Sequence, residues 1–146
     1  MMRTLAAITF LLITPELFAA PVPKELRRDR IVGTWKVVTV HSDGQLATAA
    51  SNYWTIDPNG DLNTHNNPDA PANPSPEVRL NFDLARRGVE YFENASRKGS
   101  PGIYELKGDE LTIAFNIASD TLPRSFEAGQ GINLWKFTRV DSEGKK

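Results

Sequence analysis

Cysteine is absent from the 146 residues, so no disulfide framework staples the chain and no thiol near the N-terminal segment can carry a lipid. The fold must be held by burial. Neither sign of charge is in excess: 17 Lys and Arg stand against 18 Asp and Glu, for a net charge of −1. With no long basic run to condense on phosphates or anionic lipid, nucleic acid is not an expected partner. Histidine occurs only twice, and there is neither a Gly-x-Ser-x-Gly elbow nor a phosphate-cradling glycine loop. The Gly144-Lys145-Lys146 tail lacks the upstream glycine and the following Ser or Thr that a phosphate loop requires. Both nucleophilic classes are set aside, and no cofactor is implied.

What remains is the composition of an ordinary globular protein, 40% hydrophobic and 24% charged, in a chain of single-domain length. Residues 1–20 differ from the rest. Met1-Met2-Arg3 is a positive start, an almost unbroken apolar stretch covers residues 5–13, and Phe18-Ala19-Ala20 offers small residues to cut after. The stretch falls well short of the ~20 residues that cross a bilayer, so a removable export signal is expected rather than a stable membrane span. The exported protein is then expected to begin at Ala20 or Pro21, leaving residues 21–146 as one domain. A domain of that size removes more than half of its unfolded-state surface from water.

Residues 23–32 suggest a short helix: Pro23 suits a first helical position, Leu26 follows Val22 by one turn, and Gly33 suits a stop. The period then changes to two. Trp35, Val37, Thr39 and His41 are expected on one face of a strand, and Thr34, Lys36, Val38 and Val40 on the other, with Ser42-Asp43-Gly44 as the turn. Residues 53–57 and 61–65 flank Pro58-Asn59-Gly60, a hairpin signal, because Asn-Gly tolerates the positive φ of tight turns. Residues 66–77 carry Pro68, Pro71, Pro74 and Pro76 and are expected to form an extended loop. Alternation resumes with Val78, Leu80, Phe82 and Leu84 on one face. Residues 89–93 pair back after Arg86-Arg87-Gly88, residues 103–107 and 111–116 form a hairpin around Gly108-Asp109, and residues 132–140 form a last strand. Short strands at this spacing indicate an antiparallel sandwich or barrel.

Gly33-Thr34-Trp35 at the head of the first strand resembles the glycine-x-tryptophan signature of lipocalins. In the last strand Trp135, Phe137 and Arg139 alternate to one face. If first and last strands pair antiparallel to close a barrel, Arg139 meets Trp35, the stacked basic side chain that the lipocalin resemblance implies. A closer resemblance is to a lipocalin-like bacterial family, the planctomycete uncharacterised domain. It rests on Gly33-Thr34-Trp35-Lys36-Val37-Val38, on the run from Gly102-Ile103-Tyr104 through Gly108-Asp109-Glu110 to Leu111-Thr112-Ile113, and on Pro123-Arg124-Ser125-Phe126-Glu127. The resemblance implies an all-β, lipocalin-like antiparallel barrel of about eight strands with a short N-terminal helix over one end. It implies no activity.

His41 and His65 lie near Asp43, Asp57, Asp61 and Asp69 in sequence, but too loosely spaced for a metal site, and both sit where exposed histidines are ordinary. Glu105, Asp109 and Glu110 gather around a hairpin turn, where acidic residues are simply solvated. Asn94-Ala95-Ser96 fits the glycosylation pattern and is treated as a chance match. The aromatic residues Trp54, Phe82, Tyr104, Phe115 and Trp135 are the candidates for the barrel lining, while Gly33, Trp35 and Arg139 are those for its closure. A small barrel either fills its interior with such side chains or leaves room for one small ligand, and alternation does not decide which. The functional expectation is an exported, non-enzymatic domain that takes a small apolar molecule into the barrel. The rival is an interaction or structural module of the cell envelope.

Overall fold

Period-two alternation broken by turn residues yields one antiparallel sheet that closes on itself. The computed structural model describes residues 28–71, 78–93 and 98–140. One helical turn, α1 (Arg28–Ile31), leads into β1 (Gly33–Ser42), β2 (Gln45–Ala47), β3 (Tyr53–Ile56), β4 (Asp61–His65) and β5 (Val78–Asp83). β6 (Gly88–Glu93), β7 (Ser100–Lys107), β8 (Glu110–Asn116) and β9 (Ile132–Arg139) follow. Neighbours pair in the order β1-β3-β4-β5-β6-β7-β8-β9, and β9 returns to β1, so eight strands form a closed antiparallel barrel. β2 is a short spur on β1, pairing with Val40, His41 and Ser42. Closure leaves no long unpaired edge on the eight-membered ring. The helix expected over residues 23–32 is not shown: within that range only the single turn α1 is described. The remainder, like residues 1–20, lies outside the described residues.

The turns form where their residues tolerate positive φ. Asp43 and Gly44 take φ of 54° and 82° between β1 and β2, and Gly60 takes 89° between β3 and β4. Asp57 organises the second turn, its carboxylate accepting from the backbone N–H of Asn59 at 2.7 Å and of Asp61 at 2.9 Å. Between β5 and β6 the positive φ falls on Arg87, at 54°. The Asp83 carboxylate caps that turn by accepting from Ala85 and Arg86.

One strand departs from simple alternation. β1 carries a bulge between Val37 and Thr39: Val37 sits opposite Phe137, Thr39 opposite Lys136 and Val40 opposite Trp135. The extra residue, Val38, is pushed out to 60% exposure and reverses the phase beyond it. Trp35, Val37 and Val40 therefore share the inner face, and Thr39 and His41 turn outward. This corrects the expected grouping of Thr39 and His41 with Trp35.

The core fills the barrel from the end where β1 begins. Ile31, Trp35, Ile56, Leu80, Tyr104, Leu111, Ile113 and Phe137 are all fully buried there. A smaller buried layer lies outside the barrel wall. Ala114 and Leu134 point outward by register yet are 0% and 3% exposed. The connection between β8 and β9 contributes a buried Pro123, and its Phe126 lies beside Thr112 and Lys136 on that outer face.

Candidate functional site

The two ends of the barrel are built differently. At the closed end, Trp35 pairs directly with Arg139, whose guanidinium carbon sits 4.2 Å from the centre of the indole ring. The same guanidinium donates to the carbonyl of Val32 at 3.1 Å and to that of Arg30, and faces the Asp109 carboxylate at 3.7 Å. Trp35 Nε1 donates to the Ile31 carbonyl at 2.8 Å. The carbonyls that α1 leaves unpaired are thus taken up by the indole and the guanidinium. Gly33 is required beneath this arrangement, with φ at 134° and with Arg139 Nη1 only 2.9 Å from where a Cβ would stand. Gly33, Trp35 and Arg139 are brought together as one plug.

Above the plug the filling is aromatic. Trp54 rests against Phe137 with ring centres 4.8 Å apart, and against Trp135 at 4.7 Å. Trp135 lies nearly parallel to Phe137, at an interplanar angle of 9°. Phe82 meets Tyr104 edge-on at 5.1 Å within the packed half.

Beyond the Trp54 layer the filling stops. The other end holds a half-open cup of about 420 Å³, lined chiefly by Trp54, Trp135, Phe115, Tyr91 and Val78, with Thr64, Asn133, Ser100 and Glu93 among its polar groups. Its size falls in the range of small-molecule sites. Gly102 shapes one wall. A Cβ there would lie 2.6 Å from both the Ala114 carbonyl oxygen and Phe115 Cδ1, so the missing side chain is what lets the Phe115 ring lean across β7. Phe115 then meets Tyr91 at 5.5 Å.

Of the five lining candidates, Trp54, Phe115 and Trp135 border the cup. Tyr104 and Phe82 do not: they belong to the packing beneath it. The Tyr104 hydroxyl is buried without a hydrogen-bond partner among the described residues, and burial pushes its pKa up to about 12, outweighing the opposing effect of Arg87, while Asp83 raises it further. Reasoning from aromatic content alone missed Glu93 and its neighbour Tyr91. Both were reachable from the alternation that begins at Val89, which places positions 91 and 93 on the inner face. Burial, and after it the Glu93 charge, hold the Tyr91 phenol above its ordinary pKa.

The remaining candidates lie away from the cup. His65 Nε2 is 2.8 Å from Thr55 Oγ1, which is 3.0 Å from Thr34 Oγ1, and His65 Nδ1 meets the Asn67 carbonyl. A carbonyl only accepts, so Nδ1 carries the proton. In the neutral ring Nε2 accepts from Thr55, a chain of bonds that ties β1, β3 and β4 together on the outer face. His41 is partly buried rather than exposed, and its Nδ1 has no partner among the described residues. Glu105 pairs with Lys107 at 2.9 Å, so the acidic residues at that hairpin form ordinary surface contacts. Among the described residues no group of three or more His, Cys, Asp or Glu is placed to hold a metal ion, and no helix is long and apolar enough to cross a membrane. Asn94, Ala95 and Ser96 lie outside the described residues. No family model, no curated protein and no solved structure matches the chain.

Proposed function

We propose that the protein is an exported, lipocalin-like binding protein that holds one small apolar or amphipathic molecule in the cup and carries out no chemistry on it. The observation that carries this reading is the unequal filling of the barrel. The Trp35 end is packed solid, whereas the Trp54–Trp135 layer forms the floor of an aromatic cup of about 420 Å³. The Gly33–Trp35–Arg139 plug supports the lipocalin-like assignment, and the residue pattern of positions 1–20 supports export.

At the ~0.3 kcal/mol per atom typical of drug-sized ligands, a guest of about 20 heavy atoms gains ~6 kcal/mol, which corresponds to tens of micromolar. Titrating residues 21–146 with short-chain fatty acids, isoprenoid alcohols and a naphthalene dye, and following tryptophan emission, therefore tests the reading at accessible concentrations. Saturable one-to-one binding weakened by Trp135→Leu is expected. Failure of every apolar probe to bind saturably refutes it.

The rival reading, an interaction or structural module of the cell envelope, draws on Val38 and Leu46, which are 60% and 73% exposed and border the same outer groove beside β2. Two exposed side chains are common on any soluble surface, so the cup is the stronger observation. Loss of a co-purifying envelope protein on Val38→Ser with Leu46→Ser, alongside absent ligand binding, is the result that favours the rival.

A further inference from the structure

We infer that the cup prefers amphipathic molecules whose polar end is a protonated amine, and discriminates against carboxylates. The inference rests on the binding function proposed above and concerns its chemical selectivity.

The register of β5 and β6 carries the argument. Glu93 stands opposite Val78, and directly opposed residues of an antiparallel pair project to the same side. Val78 faces the interior, so Glu93 does too. The inner face of β6 thus runs from Val89 through Tyr91 to Glu93, from buried apolar to charged, towards the mouth. Alternation there ends on a carboxylate where a further apolar residue would otherwise complete the lining.

Among the described lining residues Glu93 is the one carboxylate, and none is Lys, Arg or His. Glu93 has no ion pair among the described residues. Lys98, five residues on in sequence, is engaged with Asp120 at 2.6 Å. Trp54, Trp135 and Phe115 border the space and offer ring faces on which an aromatic guest stacks whatever its polar end. A guest with an apolar ring seated on Trp54 and Trp135 and an ammonium at the mouth meets attraction from Glu93, while a carboxylate meets repulsion there.

Glu93 is solvent-exposed, so water and salt limit the effect. A preference of about twofold to fivefold for the amine over a neutral analogue is expected. Three probes of one ring system test this: 2-naphthalenemethanol, 2-naphthylmethylamine and 2-naphthoic acid, titrated against residues 21–146 and against the Glu93→Gln variant in low and high salt. In the unaltered protein the amine is expected to bind most tightly and the acid most weakly, with the spread narrowing in high salt. Glu93→Gln is expected to remove most of the amine's advantage over the alcohol. Equal binding of amine and alcohol by the unaltered protein overturns the inference while leaving the binding function standing, as does an amine preference that survives Glu93→Gln in full. Binding of none of the three overturns both.

Discussion

Removing either partner of the Trp35–Arg139 plug is expected to cost more than surface burial predicts, and removing both to cost less than the sum. Trp35 is 0% exposed, donates to Ile31 at 2.8 Å and carries the Arg139 guanidinium over its ring at 4.2 Å. Truncating so large a core ring, as in Trp35→Ala, costs about 3–5 kcal/mol. A cation over an indole contributes about 0.5–2 kcal/mol. Hydrogen bonds from a charged group, like those Arg139 donates to the carbonyls of Val32 and Arg30, contribute about 1.5–3 kcal/mol. These contributions are not additive, so Arg139→Ala is placed at about 2–3 kcal/mol. Because Trp35→Ala alone takes away a large part of a total stability of ~5–15 kcal/mol, the cycle is best run with Trp35→Leu and Arg139→Met, which keep bulk and stem. Urea unfolding of the four proteins, followed by far-UV circular dichroism, is expected to give a coupling energy of about 1 kcal/mol. Independent sites add within about 0.5 kcal/mol. A coupling no larger than that would show that ring and guanidinium stabilise the barrel separately, and the plug would lose its standing as a unit.

Tyr104→Phe removes a buried hydroxyl that has no partner among the described residues, and is expected to leave stability at pH 7 unchanged or raise it by about 1 kcal/mol. Since the folded phenol holds its proton to about 12 while the unfolded chain releases it near 10, the hydroxyl's contribution is intact below pH 10 and lost as pH rises through 12; the part of the fall reached by pH 11, about 1.4 kcal/mol, should be missing from Tyr104→Phe in urea titrations at pH 7 and 11. Gly102→Ala forces a Cβ to within 2.6 Å of a carbonyl oxygen and of the Phe115 ring, so a loss of about 1–3 kcal/mol is expected, together with weaker naphthalene-probe binding although no cup residue has been changed. Unaltered probe affinity in a folded Gly102→Ala protein would show that Phe115 does not shape the cup. For the export proposed above, mass analysis of the protein recovered outside the cytoplasm is expected to find Ala20 or Pro21 first, and full-length chain in the membrane fraction would overturn that proposal.

Strand positions were largely legible because the physical signals were local. Asn59-Gly60 and Gly108 mark turns that only certain residues adopt readily, and the flanking alternation is clear in Leu80–Phe82 and in Ile113–Phe115. The first and last strands were separable from the rest because Trp35 and Arg139 suggested their pairing, and the register places those two residues opposite each other. The bulge at Val38 was not legible. Val37, Val38 and Val40 are the same residue type, so nothing in composition distinguishes the one that is extruded, and only the pairing across β1 and β9 sets Val37 opposite Phe137 and Val40 opposite Trp135. The burial of Ala114 and Leu134 was equally hidden, since it belongs to outward-facing positions of an alternating strand.

The cup was hidden for a different reason: alternation tells inside from outside but carries no information about depth along the barrel axis. Depth follows from register, and register follows from the turns. Trp54 stands near the start of β3, opposite Thr64, at the end away from the plug, and Trp135 stands mid-strand opposite Ile113 with its ring against Trp54. Tyr104, also opposite Ile113 but on the far side of β8, projects into the packed half. Five aromatic residues that look equivalent in sequence are thereby sorted into three that border open space and two that fill the core. The volume is then decided by what is missing at the mouth. Gly102 contributes no side chain, position 64 is threonine, and position 93 is a carboxylate whose charge resists desolvation and so cannot collapse onto the Trp54 floor as a leucine would. Leucine at 64 and 93 would be expected to fill much of the cup, whereas Gly102 acts through Phe115, whose ring occupies the space a side chain at 102 would take.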